Sequence, residues 1–193
     1  MTEVGAVVLF PGSGSSSQHS SLTAIEAALS PIPVVRCDFP YRLAGRPFPD
    51  KPPVLMQCVR DNVRAAADSL DVPVSRIVIG GRSMGGRICS MVVADRDPMA
   101  VAGLVLISYP LHPPGKPENP RTAHLGNISV PTLCVSGTRD AFGTPDELRA
   151  AFDAVPGGVT WSWVEGARHE LAGKDDDVAA RVSAWVAGPS TAR

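Results

Sequence analysis

A single serine stands between two pairs of glycines in the segment IVIGGRSMGGRICS, and this arrangement is typical of a reactive nucleophile. The segment runs from Ile77 to Ser90 and contains the pattern Gly-x-Ser-x-Gly centred on Ser83. A β-favouring run precedes this serine and an apolar, helix-like run follows it, so the pattern predicts a sharp turn between a strand and a helix. Flanking glycines let the two backbones pass closely without Cβ clashes. A serine on such a turn presents its hydroxyl for attack on an acyl carbon.

A glycine-rich turn before a helix can instead bind a phosphate group, and this is the alternative interpretation. Neither G-x-G-x-x-G nor G-x-x-x-x-G-K-[ST] is present in the chain. The nearest partial match, at Gly12 and Gly14, has Ser17 in place of the third glycine. The nucleophile interpretation is therefore favoured.

A serine hydroxyl needs a general base to take its proton, and the chain offers four histidines. His169, in the segment VEGARHEL, follows the last apolar run and precedes the last helical pattern. A base carried on the loop after the final strand would lie there; the alternative is an exposed loop histidine. His19 lies in a serine-rich loop, and His112 and His124 flank a proline-rich segment. We expect a surface or substrate-contact role for these three.

The base must in turn be oriented by a carboxylate. Asp140, in the segment SGTRDAFG, comes after an apolar run and just before a capped helix. Asp146 is the rival, but it lies in the first turn of that helix, where negative charge is favourable in itself. The predicted order of the three residues along the chain is Ser83, Asp140, His169.

Strands and helices must bring these separated residues together, and the chain alternates short apolar runs with helical patterns. Five runs are nearly continuous in Val, Ile and Leu, as expected of central strands covered on both faces. They are Gly5 to Phe10, Ile32 to Cys37, Arg76 to Gly80, Val101 to Ser108 and Pro131 to Val135. A sixth run, from Val159, alternates apolar and polar residues and is placed at an edge. We therefore predict a doubly wound, mostly parallel six-stranded sheet with helices on both faces.

Three of the helices have clear signals, and two stretches are irregular. An apolar stripe runs from Leu55 to Leu70, a capping box spans Thr144 to Glu147, and Asp175 to Asp177 begin the last helix. The irregular stretches, Pro40 to Pro53 and Pro110 to Val130, are rich in proline and are expected at the surface.

Length and composition favour one globular domain over residues 1–193. The chain is 44% hydrophobic, and its net charge of −1 gives no basic field for nucleic acid. The N-terminal segment MTEVGAVVLFPG has no basic region before a short apolar run, so neither a signal peptide nor a membrane span is expected. The four cysteines are widely separated and form no CxxC, which favours reduced thiols and a cytoplasmic location.

At these residues the chain resembles the α/β-hydrolase superfamily, in its small, lidless branch similar to dienelactone hydrolase and its uncharacterised relatives. The segments that carry the resemblance are FPGSGSSS, GGRSMGG, SGTRD and GARHEL. It implies a single α/β-hydrolase domain without a lid, and acyl transfer to water by Ser83 as nucleophile, His169 as base and Asp140 as orienting acid. It implies no metal and no organic cofactor.

The chain departs from the family pattern at two places. Ser83 stands where dienelactone hydrolase itself uses cysteine, and the first loop reads Pro11-Gly12-Ser13-Gly14 where the commoner pattern begins with His-Gly. By the resemblance, the oxyanion would accept hydrogen bonds from the backbone N–H of Met84 and from a second N–H in this loop. For that second donor we choose Ser13 over Gly14.

The substrate is expected to be a small molecule with a small or polar acyl group, because Pro110 to Val130 is too short and too broken by proline to build a helical cap. Gly14 is expected to contact this substrate. Arg82, Tyr41 and Arg42 are candidates to face the pocket and bind an anionic substrate group. The alternative function is a catalytically silent binding or interaction module that uses the proline-rich segments as recognition surfaces.

Overall fold

The computed structural model describes residues 3–188 and contains a six-stranded sheet in which every strand pair is parallel. The strands are β1 (Ala6–Phe10), β2 (Val34–Arg36), β3 (Ile77–Arg82), β4 (Gly103–Ile107), β5 (Thr132–Gly137) and β6 (Val159–Val164). The helices are α1 (Ser20–Leu29), α2 (Pro40–Leu43), α3 (Pro52–Leu70), α4 (Met84–Val93), α5 (Pro145–Phe152) and α6 (Asp175–Val186). The strand order is β2-β1-β3-β4-β5-β6. The expected doubly wound fold is confirmed, and the sheet is wholly rather than mostly parallel.

Two apolar cores lie on the two faces of the sheet, because successive side chains of a strand point to opposite faces. Ala6, Val8 and Phe10 of β1 pack in the core that includes residues of α3, α4 and α5. Val7 and Leu9 of the same strand pack in the core that includes residues of α1 and α6. This burial on both faces explains the continuous apolar runs of the central strands.

The expected edge position of β6 is confirmed, but the expected central position of the run Ile32 to Cys37 is wrong. That run contributes only the three half-buried residues of β2, at the opposite edge of the sheet. Its apolar side chains still have partners, because Ile32 and Val34 pack against one core and Val35 against the other. An apolar run therefore did not distinguish a central strand from an edge strand.

The predicted helix signals agree with the structure. The stripe in α3 is buried from Leu55 onward, and the capping box at the start of α5 has both of its hydrogen bonds. The helix α6 begins at Asp175 with three acidic residues in its first turn. The sequence reasoning missed α1, which follows the serine-rich loop, and the four-residue helix α2 inside the first irregular stretch.

The connection from β4 to β5 contains only a short 3-10 helix, Leu125–Asn127, so no lid domain is present in the part of the chain that the structure describes. Because all six strands are parallel, their carboxyl ends meet at one edge, which is where open α/β sheets bind ligands.

Within residues 3–188, no helix combines the length and apolar character that a membrane crossing needs.

Candidate active site

Ser83 lies on the turn between β3 and α4, at the carboxyl edge of the sheet. Its backbone has a φ of 49° and a ψ of −115°, a conformation that residues other than glycine rarely adopt. The Ser83 N–H donates to the carbonyl of Ile107 at 2.8 Å and so ties the turn to the end of β4. The turn thus has the strand-turn-helix setting that the sequence predicts.

The glycines around Ser83 are required by a neighbouring strand. A Cβ added at Gly81 would lie 2.1 Å from the carbonyl oxygen of Phe10, and one at Gly85 would lie 2.3 Å from the same atom. Both distances are far inside van der Waals contact, and the obstacle is backbone that cannot rotate away. Only glycine lets β1, β3 and α4 approach closely enough to build this turn.

The three residues predicted to act together are brought into one hydrogen-bonded chain. The Nε2 atom of His169 lies 2.9 Å from the Oγ of Ser83, and the Nδ1 atom of His169 lies 2.8 Å from the Oδ2 of Asp140. Asp140 follows β5, whereas His169 lies between β6 and α6. The side chain of Asp140 is fully buried and that of His169 is 11% exposed. The three residues are far apart in the sequence but lie close together, because each follows the carboxyl end of a parallel strand.

The loop after β5 holds both Asp140 and the imidazole ring. The backbone N–H of Phe142 donates to the Oδ1 of Asp140 at 2.8 Å, so both carboxylate oxygens have partners. The ring of Phe142 stacks on the ring of His169 with centroids 4.0 Å apart. Sequence reasoning missed Phe142, although its place two residues after Asp140 could have suggested a contact with His169.

The segment that follows β2 forms hydrogen bonds to the loop after β1 and restrains it. The hydroxyl of Tyr41 donates to the carbonyl of Ser13 at 2.8 Å, and Tyr41 itself is fully buried. Asp38 accepts hydrogen bonds from both the N–H and the hydroxyl of Ser17, at 2.8 and 2.7 Å. The structure therefore places Tyr41 beneath the loop and not among the residues that line the cavity, contrary to the expected orientation.

A cavity of about 660 Å³ opens in front of Ser83. Of the residues predicted for the site, those that line it are Ser13, Gly14, Arg82, Ser83, Met84 and His169. The first turn of α4 begins at Met84, and backbone N–H groups at the start of a helix have no partner within the helix. Such N–H groups are available to a bound anion.

Residues 3–185 match the family described as the alpha/beta hydrolase domain. The chain belongs to this family. The resemblance expected from the sequence is thereby confirmed, and with it the expectation of a hydrolase.

Solved structures share the fold of this α/β-hydrolase at low sequence identity. An alpha-beta serine hydrolase homologue from Coxiella burnetii has a TM-score of 0.73 at 17% identity, and the match covers 94% of this chain and 85% of that one. Est1E from Butyrivibrio proteoclasticus has a TM-score of 0.74 at 16% identity over 97% and 88% of the two chains. Dienelactone hydrolase from Anabaena variabilis has a TM-score of 0.73 at 18% identity over 95% and 86%.

The α/β-hydrolase chain also contains a second serine-histidine pair, which sequence reasoning missed. The Oγ of Ser90 lies 2.8 Å from the Nε2 of His124 and donates to the carbonyl of Arg87 at 2.7 Å. Ser90 is fully buried inside α4, where a substrate carbonyl cannot reach it. Burial, and next the charge of Arg87, lowers the pKa of His124 to about 4. This pair therefore fits a structural role.

The remaining histidines are less exposed than expected. His112 is 6% exposed, and its Nε2 atom lies 3.6 Å from the Oε2 of Glu147, so the expected surface position is wrong. His124 is half-buried beside Ser90. His19 lines the cavity, in agreement with a substrate-contact role, and its Nδ1 atom also accepts from the N–H of Ser21 as the cap of α1.

The cysteines of the described chain are unpaired: Cys37, Cys89 and Cys134 are buried, and Cys58 is half-buried. Burial raises the pKa of Cys37 to about 12, which suits an unreactive thiol. Within residues 3–188, no group of three or more His, Cys, Asp or Glu side chains is arranged to hold a metal ion. The expectation of a site without metal or cofactor stays a prediction.

Proposed function

We propose that this protein is a serine hydrolase, similar to carboxylesterases, that transfers small or polar acyl groups to water through Ser83, His169 and Asp140. The observation that carries the proposal is the unbroken hydrogen-bond chain from the Ser83 Oγ through the imidazole to the Asp140 carboxylate, with distances of 2.9 and 2.8 Å. A nucleophile, a base within reach of its proton and a buried acid behind the base are the parts that acyl transfer needs.

In the first half of the reaction, the Ser83 Oγ attacks the substrate carbonyl carbon as its proton passes to the Nε2 of His169. The tetrahedral intermediate then collapses, and His169 gives this proton to the leaving alcohol. In the second half, a water molecule loses a proton to the same Nε2 and attacks the acyl carbon, and the proton returns to the Ser83 Oγ. Asp140 keeps the proton of His169 on Nδ1 and stabilises the imidazolium ion.

The negative charge that develops on the carbonyl oxygen needs hydrogen-bond donors already in place. The candidates are the backbone N–H of Met84 and, from the loop after β1, that of Ser13, and both residues line the same cavity as Ser83. Each such donor typically contributes about 3 kcal/mol of transition-state stabilisation. The hydrogen bond from Tyr41 to the carbonyl of Ser13 restrains the loop, because that carbonyl shares a rigid peptide plane with the N–H of Gly14.

Labelling by a fluorophosphonate probe tests the proposal without knowledge of the substrate, because the probe reacts only with an activated serine. We expect labelling of the wild-type protein and none of Ser83→Ala or His169→Ala. Ser90→Ala is the matched control, since Ser90 also lies next to a histidine but is buried. It should be labelled like the wild type.

Labelling should be accompanied by hydrolysis of at least one member of a panel of short ester, thioester, lactone and amide substrates. A folded wild-type protein that resists the probe would favour the silent binding module. Labelling that survives Ser83→Ala would place the nucleophile elsewhere.

A further inference from the structure

Two arginines line the cavity on the side of α4 and the connection between β4 and β5. Arg87 belongs to the second turn of α4, and Arg121 lies in the proline-rich stretch, and both border the cavity together with Ser83. Arg121 is fixed in place, because its Nη1 donates to the carbonyl of Pro110 at 3.0 Å and its backbone carbonyl accepts from the hydroxyl of Tyr109 at 2.7 Å.

Neither arginine is neutralised by a carboxylate of the described chain. The arginines that form salt bridges within residues 3–188 are Arg36, Arg46, Arg60, Arg64, Arg76, Arg149 and Arg181. Arg87 and Arg121 are absent from this set. The Nε of Arg87 is in addition buried without a hydrogen-bond partner. Buried charged groups are normally paired and hydrogen-bonded, whereas the guanidinium of Arg87 has no carboxylate partner and a buried N–H without an acceptor.

The two charges also act on each other and on their surroundings. Burial, and next the positive charge of Arg87, lowers the pKa of Arg121. The same positive charge contributes to the low pKa of His124, which keeps that imidazole neutral near pH 7. Tyr109 acts in the opposite direction on the pKa of Arg121, but no Asp or Glu side chain is among the groups that shift these two pKa values, so no carboxylate offsets the positive charge on this side of the cavity.

The third arginine of the cavity, Arg82, is in a different situation. Burial lowers its pKa, but Glu170, Asp175 and Asp140 act in the opposite direction. Its Nη2 also donates to the carbonyl of His169 at 3.3 Å. Acidic neighbours thus partly offset the charge of Arg82, whereas the pair Arg87 and Arg121 remains available to an incoming anion.

We propose that Arg87 and Arg121 bind a carboxylate group of the substrate, so that the preferred substrates are esters carrying a free carboxylate. This inference rests on the proposed function, because it assigns a substrate class to the same cavity. A guanidinium presents N–H donors in a plane that matches the two oxygens of a carboxylate, and in a partly buried site such charge-assisted hydrogen bonds are strong. A bound carboxylate carries one negative charge, so it would offset one of the two positive charges and reduce the repulsion between them.

The test compares two substrates of the same shape that differ in charge. Monoethyl succinate carries a carboxylate, and ethyl levulinate carries a neutral acetyl group in its place. Hydrolysis at pH 8 is followed by pH-stat titration, and kcat/KM for the anionic ester is divided by that for the neutral ester. We expect a ratio above about 10 for the wild-type protein, because hydrogen bonds to a charged group commonly change affinity about 10-fold or more.

Variants of the pair should lower this ratio, mainly through KM. We expect about a 10-fold to 100-fold decrease for Arg121→Gln and for Arg87→Gln, and a smaller one for Arg87→Lys, which keeps the charge but not the planar donors. Arg64→Gln is the matched control, because Arg64 is exposed on α3 and does not line the cavity. Its ratio should equal that of the wild type. Unchanged melting temperatures would show that each variant is folded.

Protection from the fluorophosphonate probe gives a second readout that does not depend on turnover. Monoethyl succinate should slow labelling of Ser83 more than ethyl levulinate does, and inorganic phosphate should protect less than succinate. If labelling is normal but the two esters are equivalent, or if Arg87→Gln and Arg121→Gln leave the ratio unchanged, the inference is wrong while the proposed function stands. Stronger protection by phosphate would overturn the choice of carboxylate. Failure of the proposed function itself would appear as a wild-type protein that is not labelled.

Discussion

Replacing Asp140 by asparagine should abolish the proposed base function of His169 without disturbing the fold. The two oxygens of Asp140 both accept hydrogen bonds, Oδ1 from the backbone N–H of Phe142 and Oδ2 from the Nδ1 of His169, each at 2.8 Å. An asparagine has one oxygen and one NH2 group in the same positions. The backbone N–H of Phe142 can only donate, so the asparagine oxygen must face it and the NH2 group must face the imidazole.

This orientation selects the wrong tautomer of His169. An NH2 group that points at Nδ1 forces this nitrogen to accept, so the ring proton moves to Nε2. The Nε2 atom, 2.9 Å from the Ser83 Oγ, then carries a proton and cannot take one from the serine. Loss of the correct tautomer in a serine-histidine-aspartate site lowers kcat about 10⁴-fold, which corresponds to about 5.5 kcal/mol of activation free energy.

The assay is the rate of fluorophosphonate labelling together with kcat for a short activated ester. Asp146→Asn is the matched control, because this exposed aspartate lies six residues away in the first turn of α5 and its side chain is 97% exposed. It should keep the wild-type rate. If Asp140→Asn folds normally and retains more than about a tenth of the wild-type rate, the tautomer argument is refuted.

Three further predictions concern strain, pH and acyl length. Ser83→Gly and Ser83→Ala should both be inactive. The free energy of unfolding in urea should be about 1 kcal/mol higher for the glycine variant than for the alanine variant, because only glycine adopts a φ of 49° without strain. Equal free energies of unfolding would contradict the strain at this residue. The folded pKa of His124, about 4, lies below the unfolded value of 6.5, so the unfolded state binds more protons and stability falls as the pH falls through this range. His124→Gln should therefore lose about 2 kcal/mol less free energy of unfolding than the wild type between pH 7 and pH 4.5, and equal losses would argue against a buried neutral imidazole. Among p-nitrophenyl esters, acetyl to butyryl should be hydrolysed faster than octanoyl, whereas a channel that buried the chain would add about 0.8 kcal/mol per methylene and give a steady rise in kcat/KM.

The fold and the spatial grouping of Ser83, His169 and Asp140 were predictable because local signals report them directly. Continuous apolar runs indicate buried parallel strands, and glycine clustering around Ser83 reflects close packing, since a Cβ added at Gly81 would lie only 2.1 Å from the carbonyl oxygen of Phe10. The grouping of His169 and Asp140 was predictable because each lies in a loop that follows a strand, and the carboxyl ends of parallel strands lie along the same side of the sheet. The place of Asp146 in the first turn of a helix is likewise a local signal, and its side chain is exposed there in α5.

The residues that were misplaced or missed depend on contacts between distant segments. Tyr41 is a polar aromatic in a proline-rich stretch, and only the packing of α2 beneath the first loop turns its hydroxyl toward Ser13. Phe142 stacks on His169 from another loop. Arg87 lies in α4 and Arg121 lies in the connection between β4 and β5. Because the whole of β4 separates them, no spacing in the sequence shows that they share a cavity.

Backbone strain is concentrated at the edge of the sheet that carries the site. Four non-glycine residues in the described chain have a positive φ, and three of them lie near the site: Ser83 follows β3, Ser108 follows β4 and Leu171 lies two residues after His169, with φ values of 49°, 50° and 50°. The fourth, Asp71 with a φ of 52°, ends α3. The first two are held by hydrogen bonds that continue the strand ladder, from the Ser83 N–H to Ile107 and from the Ser108 N–H to Val135. These bonds and the burial of Ser108 oblige the chain to keep conformations that its local sequence disfavours. Because hydrogen bonds to neighbouring strands hold the conformations of Ser83 and Ser108, both are maintained only in the assembled sheet. The glycines around Ser83 indicate its turn in the sequence, whereas no such local signal accompanies Ser108.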